Sequence, residues 1–328
     1  MPEYSHTVTA VVPGGMRLDR YIAETLGLIS RSQIKVRGLN AKINGKGVKI
    51  SRMVKNGDML ELFWNDPEPA HVIPEDIPLD FLYEDCRTAV VNKPQGMVVH
   101  PGAGNRRGTL ANALYWRSLN RGSFSETAGE GGIRYGIVHR LDKDTSGAII
   151  AAYDDETLSF LADQFKSRKV KKTYIAIVNG IPKEKKGRIE TFIARDPKDR
   201  KRFAVSTRGK LALTYYLVIK TWLSHSLVFL RPKTGRTHQL RVHMRYLGCP
   251  VTGDSIYGFS DALFPDASLM LHAKSLAVTL PGESAQQVFK APLPKRFKGM
   301  IASLNSREGM EGNGSQVNIR DSAGKKRE

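Results

Sequence analysis

The sequence predicts an α+β protein: a small α/β module followed by a larger domain on a mixed, mainly antiparallel sheet. Three observations predict it. Beyond residue 80 the chain alternates short β-branched and aromatic runs with turn residues and has few helical stretches, which argues for a sheet rich in antiparallel pairs. Before residue 65 a short basic segment carries its own helix and hairpin signals. Between them Pro67, Pro69, Pro74 and Pro78 stand among Glu68, Glu75, Asp76 and Asp80, the composition of an extended linker. A chain of 328 residues is long enough for two domains. The expected divisions are a module over 1–66, a linker over 67–80, a large domain over 81–304 and a disordered tail over 305–328.

In the module, Leu18, Tyr21, Ile22 and Leu26 recur at helical spacing, and Gly27 can end that helix. Ser30, with Gln33 three residues on, reads as the capping box of a second short helix. Asn44-Gly45 is a tight-turn signal between short strands over 42–43 and 48–50, and the turn at 54–58 leads into a strand over 59–64. In the large domain, strands are expected over 88–92, 97–101, 135–139, 148–152, 173–178 and 213–219. A helix is expected over 157–167, where Leu158, Leu161 and Phe165 are three and four apart, and another over 238–247 after the Gly235 turn. Residues 305–328 hold no aromatic side chain and only Val317 and Ile319 as branched aliphatics, too little apolar surface to offset ordering.

The charge narrows the function classes. Fifty-one Lys and Arg against 32 Asp and Glu leave a net charge of +19, which favours a polyanionic partner over a neutral metabolite. The excess is concentrated over 16–57, at net +8, and over 166–202, at net +10. Within the second stretch, 195–202 reads as an exposed basic loop suited to phosphates. Cys86 and Cys249 form no CxxC pair, which argues against a disulfide framework or thiolate zinc site and suits a reducing cytosol. No stretch reaches the roughly 20 apolar residues of a membrane span. The start, Met1 to His6, has neither a basic n-region nor an apolar h-region, so secretion is not expected. Gly102-Ala103-Gly104 fails the dinucleotide fingerprint, and no GxxxxGK[ST] occurs.

Three polar clusters remain. His139-Arg140-Leu141-Asp142-Lys143-Asp144-Thr145-Ser146-Gly147 lies between two apolar runs, where a sheet would fix the backbone under a reactive group. Asp142 and Asp144 read either as paired carboxylates or as an Asx-type turn. In Lys233-Thr234-Gly235-Arg236-Thr237-His238-Gln239-Leu240-Arg241-Val242-His243, Arg241 is suited to hold a buried Asp ionised. His238 and His243 are five apart rather than four, with no carboxylate between them, so structural histidines are expected and no metal. The third cluster, Asn92 to Gly104, reads as turn chemistry.

Taken together, these segments resemble the RluA-type pseudouridine synthases. The resemblance rests on His139-Arg140-Leu141-Asp142 followed by Thr145-Ser146-Gly147. It is supported by Asn92-Lys93-Pro94 with Gly96 and His100-Pro101, by Lys172-Thr173-Tyr174, by 234–241 and by Leu271-His272-Ala273. Residues 16–62 resemble the small alpha-L RNA-binding module named after ribosomal protein S-four.

The resemblance implies a pseudouridine synthase fold with a central cleft and the isomerisation of uridine to pseudouridine in RNA without a cofactor. It makes Asp142 the nucleophile, through ribose C1′, base C6 or assisted glycal formation. Arg241 would hold Asp142 charged, with Arg236 as the second choice, and Tyr174 would stack on the base and assist proton removal. The target uridine must be flipped out or lie in a loop; Arg140 would fill the vacated space and Leu271 would line the base pocket. His139 is counted with the substrate-binding residues, and Arg31, Lys35 and Lys42 with the RNA contacts of the module. The expected partner is ribosomal RNA of the large subunit, with transfer RNA as the alternative, and a monomeric cytoplasmic enzyme is expected. Two rival classes are an RNA-binding protein without activity and a glycoside hydrolase using Asp142 and Asp144.

Overall fold

A computed structural model describes residues 3–12, 14–29, 31–65, 72–102, 104–121, 136–199 and 201–314. The contacts divide the described residues into two compact units, one up to residue 65 and the other from Val72 onward.

In the first unit, β1 (Glu3–Thr9), β3 (Asn40–Ile43), β4 (Lys46–Val48) and β6 (Met59–Asn65) form a sheet in the order β1-β6-β3-β4, and β2 (Met16–Arg17) pairs with β5 (Met53–Val54). Asn44 and Gly45 both take positive φ, 50° and 77°, as the tight turn between β3 and β4 requires. The expected helix over 18–26 begins as α1 (Leu18–Arg20), widens into a single π turn over Tyr21–Thr25 and stops before Gly27, whose φ is +63°. α2 (Arg31–Val36) follows; Ser30, its expected cap, lies outside the described residues. Leu18, Ile22, Ile34, Leu60 and Leu62 close a separate core.

The second unit is built on one ten-stranded sheet. Its strands are β7 (Phe81–Glu84), β8 (Thr88–Lys93), β9 (Ser146–Ala152), β10 (Lys171–Asn179), β11 (Lys186–Arg195), β12 (Phe203–Val205), β13 (Lys210–Thr221), β14 (His225–Pro232), β15 (Leu271–Thr279) and β16 (Gln286–Lys290). They run β12-β11-β13-β14-β10-β15-β9-β8-β7, with β16 beside β15. The β9–β15 pair is parallel and the other described pairs are antiparallel, the mixed sheet the sequence predicts. The helices are α3 (Leu110–Asn120), α4 (Asp155–Lys166), α5 (Gln239–Tyr246) and α6 (Lys295–Gly314). Thr109 caps α3 through a reciprocal box with Asn112, and Asp154 caps α4 by accepting from the Thr157 N–H at 2.7 Å. Among the described residues no helix is long and apolar enough to cross a membrane.

Four expectations require correction. Residues 97–101 are not a strand: the Val98 and Val99 carbonyls accept from Leu110 and Ala111, so their backbone caps α3 instead of joining the sheet. Residues 136–139 are not a strand either. The Ile150 N–H donates to the His139 ring at 3.1 Å, and a side chain takes the place of a ladder carbonyl. The second half of the linker, 72–80, is extended but bound to the second unit: the Glu75 N–H donates to Asn112 O, and Asn92 donates to Asp80. Finally, 305–314 continue α6 rather than starting a tail. Asn305 Oδ1 accepts from Lys220 and Trp222 at 2.8 Å each, and Lys220 lies 3.3 Å from Glu308. Side-chain polar contacts extend the helix past its last buried leucine, Leu304.

Candidate active site

The turn carrying Asp142 is held from several directions. Its polypeptide leads directly into β9, where Ser146 pairs with His272 and Gly147 with Ala273 on β15. Gly147 takes a φ of +113°, and a Cβ there would sit 2.3 Å from the Ala273 carbonyl oxygen, so only glycine lets β9 approach β15 this closely. On the other side Lys93, fully buried at the end of β8, donates to the carbonyls of Pro94, Met97 and Lys143 at 2.8–3.0 Å. Burial pulls its pKa down to about 7, against the opposing charges of Asp144 and Asp142. The Lys143 carbonyl it grips belongs to the residue after Asp142.

A cleft of about 690 Å³ opens beside this turn. Asp142, Tyr174 and Arg241, drawn from three distant segments, all line it, together with His139, Arg140, Arg236 and Leu271. Asp142 is partly buried, its side chain 19% exposed, whereas Asp144 is exposed and lies outside the lining. Paired carboxylates facing one cleft, as the hydrolase reading needs, are therefore not what this turn presents.

Arg241 lies in α5, packed across the sheet through Gln239, which donates to Leu213 O and Thr214 Oγ1, and through His243, whose ring is 2.9 Å from Thr214 Oγ1. Its guanidinium is 3.6 Å from Asp142 Oδ2. A second carboxylate, absent from the sequence expectations, holds it more tightly: Arg241 makes two 2.7 Å hydrogen bonds to Asp254, whose side chain has no exposure. Burial alone would raise the Asp254 carboxyl, but Arg241 and the N–H groups of Tyr257 and Ile256 hold it below the usual carboxylate range. The guanidinium also lies over the Tyr257 ring, 5.1 Å from its centroid. The Tyr257 hydroxyl accepts from the Phe203 N–H and meets His238 Nδ1, both at 2.8 Å. His238 itself is in the left-handed region, φ 55°, a conformation that marks a site under local constraint. The Gly253-Asp254 turn gives no sequence signal beyond an ordinary turn; the meaning of Asp254 comes only from the arginine it meets.

Tyr174 stands on β10 between Leu230 and Ala273, at a register shift that follows Thr173. Burial and then the charge of Asp142 push its phenol above the usual tyrosine range. Leu271 is buried at the start of β15. Arg140 is exposed at the cleft. Arg236 donates from Nε to the Leu211 carbonyl at 3.0 Å, a hydrogen bond that ties it to β13. His139 stacks on Phe165, with centroids 4.5 Å apart, and burial with Lys172 nearby pulls its pKa down to about 3. It is neutral at physiological pH and occupied by the Ile150 N–H, which gives it a structural task at the cleft wall. In the first unit Arg31 lies 3.2 Å from Asp19, and Lys42 lies 3.9 Å from Glu61; both are about half exposed. The Lys35 side chain lies outside the described residues. Among the described residues no cluster of His, Cys, Asp and Glu is arranged to hold a metal.

Residues 87–246 match the family described as RNA pseudouridylate synthase. The chain is 43% identical over 295 residues to ribosomal large subunit pseudouridine synthase D of Borreliella burgdorferi, covering 88% of this chain and 89% of that protein. It is 38% identical over 318 residues to the protein of the same name from Zymomonas mobilis, covering 93% and 98%. Among solved structures it is similar to human RNA pseudouridylate synthase domain containing 4, with a TM-score of 0.54 and 27% identity over 69% of this chain and 93% of that one.

Proposed function

The chain belongs to the RluA-type family of RNA pseudouridine synthases, and from that premise we propose that it converts uridines of large-subunit ribosomal RNA to pseudouridine with Asp142 as nucleophile. The isomerisation breaks the N1–C1′ bond, turns the uracil and joins C5 to C1′; the C5 proton is released and N1, freed from the sugar, takes one up. Atoms and electrons balance without an oxidant, a reductant or water. The choice of ribosomal RNA is supported by the names of the similar proteins from Borreliella burgdorferi and Zymomonas mobilis.

One observation carries the assignment of roles: an aspartate, a buried arginine and a buried tyrosine converge on one cleft, with the arginine 3.6 Å from the aspartate. A nucleophilic carboxylate reacts through its oxygen, and the Arg241 guanidinium stands 3.6 Å from Asp142 Oδ2. Arg241 stays fixed because Asp254 grips it from the other side. Tyr174 keeps its proton in the resting enzyme, so it meets the uracil with its ring face and O–H. Once Asp142 forms a covalent bond its charge is gone, one of the two causes raising the phenol is lifted, and Tyr174 gives up its proton more readily; only the phenolate so formed accepts the C5 proton. The uridine reaches the cleft only after leaving its stack, and Arg140 is suited to fill the vacated position.

The test uses large-subunit ribosomal RNA and transfer RNA transcripts labelled with tritium at uridine C5. The reading expects tritium release and pseudouridine from the ribosomal transcript. Release from transfer RNA alone would reassign the substrate, and release from neither would overturn the activity.

A further inference from the structure

Lys172 precedes Tyr174 by two residues on β10 and lines the same cleft. Its stem passes the face of Phe165, with Nζ 5.9 Å from the ring centroid, and Nζ is 4.0 Å from where a side chain on Gly235 would begin. The residue is half-buried, and no carboxylate forms an ion pair with it among the described residues. Ammonium groups withdrawn from water are normally paired, because desolvation penalises the charged form. The wall on this side is cationic: Lys166 ends α4 and Arg168 follows it, and Lys233 and Arg236 flank Gly235, with Asp163 on α4 and Asp142 as the acids of the lining.

We propose that Lys172 anchors a subsite for an RNA backbone phosphate adjoining the target uridine, in the lobe of the cleft between the end of α4 and the 233–236 turn. The inference rests on the RNA-modifying reading above. A phosphate suits the site better than a uracil carbonyl: its full negative charge offsets the desolvation of the ammonium, and its oxygens accept charge-assisted hydrogen bonds from a point-charge donor. Gly235 leaves the approach open, since a Cβ there meets nothing nearer than the lysine itself. Lys172 thereby sets the path of the strand on one side of the flipped base while Asp142 and Tyr174 engage the nucleoside.

Lys172→Met keeps the stem over Phe165 and removes the charge, and Lys172→Arg restores it. RNA affinity is read across a salt series, alongside kcat and KM for pseudouridine formation by the full chain. For Lys172→Met, the expected results are affinity about tenfold weaker at low salt, a slope of log affinity against log salt shallower by about 0.7, and a loss of kcat/KM lying mainly in KM. Lys172→Arg recovers most of the slope. A slope equal to wild type, or a fall in kcat with binding intact, overturns the phosphate contact. A wild-type chain that releases no tritium from any RNA would instead overturn the underlying activity, so the two failures are distinguishable.

Discussion

Arg241 stands between two carboxylates of unequal burial: Asp254 has no side-chain exposure, and Asp142 retains 19%. The buried one anchors the guanidinium and the partly open one faces the cleft. Arg241→Met would strand Asp254 as an unpaired buried charge, and we expect a stability loss of about 3–5 kcal/mol in denaturant unfolding. Asp254→Asn keeps the shape but loosens the fork. The expected outcome is kcat lower by roughly ten- to a hundredfold with KM little changed, because a displaced Arg241 no longer aims at Asp142. Equal kcat in the variant would remove Asp254 from the account. Three histidines make acid stability a residue-scale test as well. Burial pulls His139 to about 3 and His243 and His272 each to about 4, all below the unfolded value. The unfolded chain therefore binds more protons than the native chain between about pH 4 and 6.5. Their contribution is complete above pH 6.5 and declines as pH falls, by up to about 1.4 kcal/mol per pH unit for each ring. Chemical denaturation at pH 7 and pH 5 checks this; equal stability at the two would contradict it.

The element that organises the site is the close parallel contact of β9 with β15, reached through Gly147. Gly147→Ala would drive a Cβ into the Ala273 backbone at a φ side chains avoid, with an expected loss of about 3 kcal/mol or more and loss of activity at any RNA concentration. Wild-type melting behaviour in that variant would refute the role of the contact. Elements differ in how legible they are. The expected helix over 157–167 matches Asp155–Lys166, because apolar spacing and the Asp154 cap are properties of the segment itself; that over 238–247 matches Gln239–Tyr246, which follows the Gly235 turn although His238 gives it no side-chain cap. The apolar runs at 97–101 and 136–139 look like strands by the same local criteria, yet α3 takes the backbone carbonyls of the first, and the second meets β9 through a single bridge at Ile137 and the His139 side chain. The same limit governs the cleft. Asp142, Tyr174 and Arg241 were reachable through motifs, while Asp254 and Tyr257 acquire meaning only from the guanidinium between them.

At the scale of the whole molecule, charge and chemistry are distributed over two units with separate cores. The cleft belongs to the second, whereas ten Lys and Arg against two acids over 16–57 belong to the first. From this division we propose that the first unit serves RNA affinity rather than chemistry. Deleting 1–66 should weaken RNA binding and flatten its salt dependence through lost phosphate contacts; an unchanged salt slope would count against the assignment. The chemistry proposed above rests on the Asp142 carboxylate in the cleft. Asp142→Asn is nearly isosteric and leaves Arg241 its pair with Asp254, so folding and RNA affinity should persist. The most direct measurement is single-turnover tritium release by this variant with RNA saturating. The account predicts RNA binding within about twofold of wild type and release slower by at least about a thousandfold; release at the wild-type rate would contradict it.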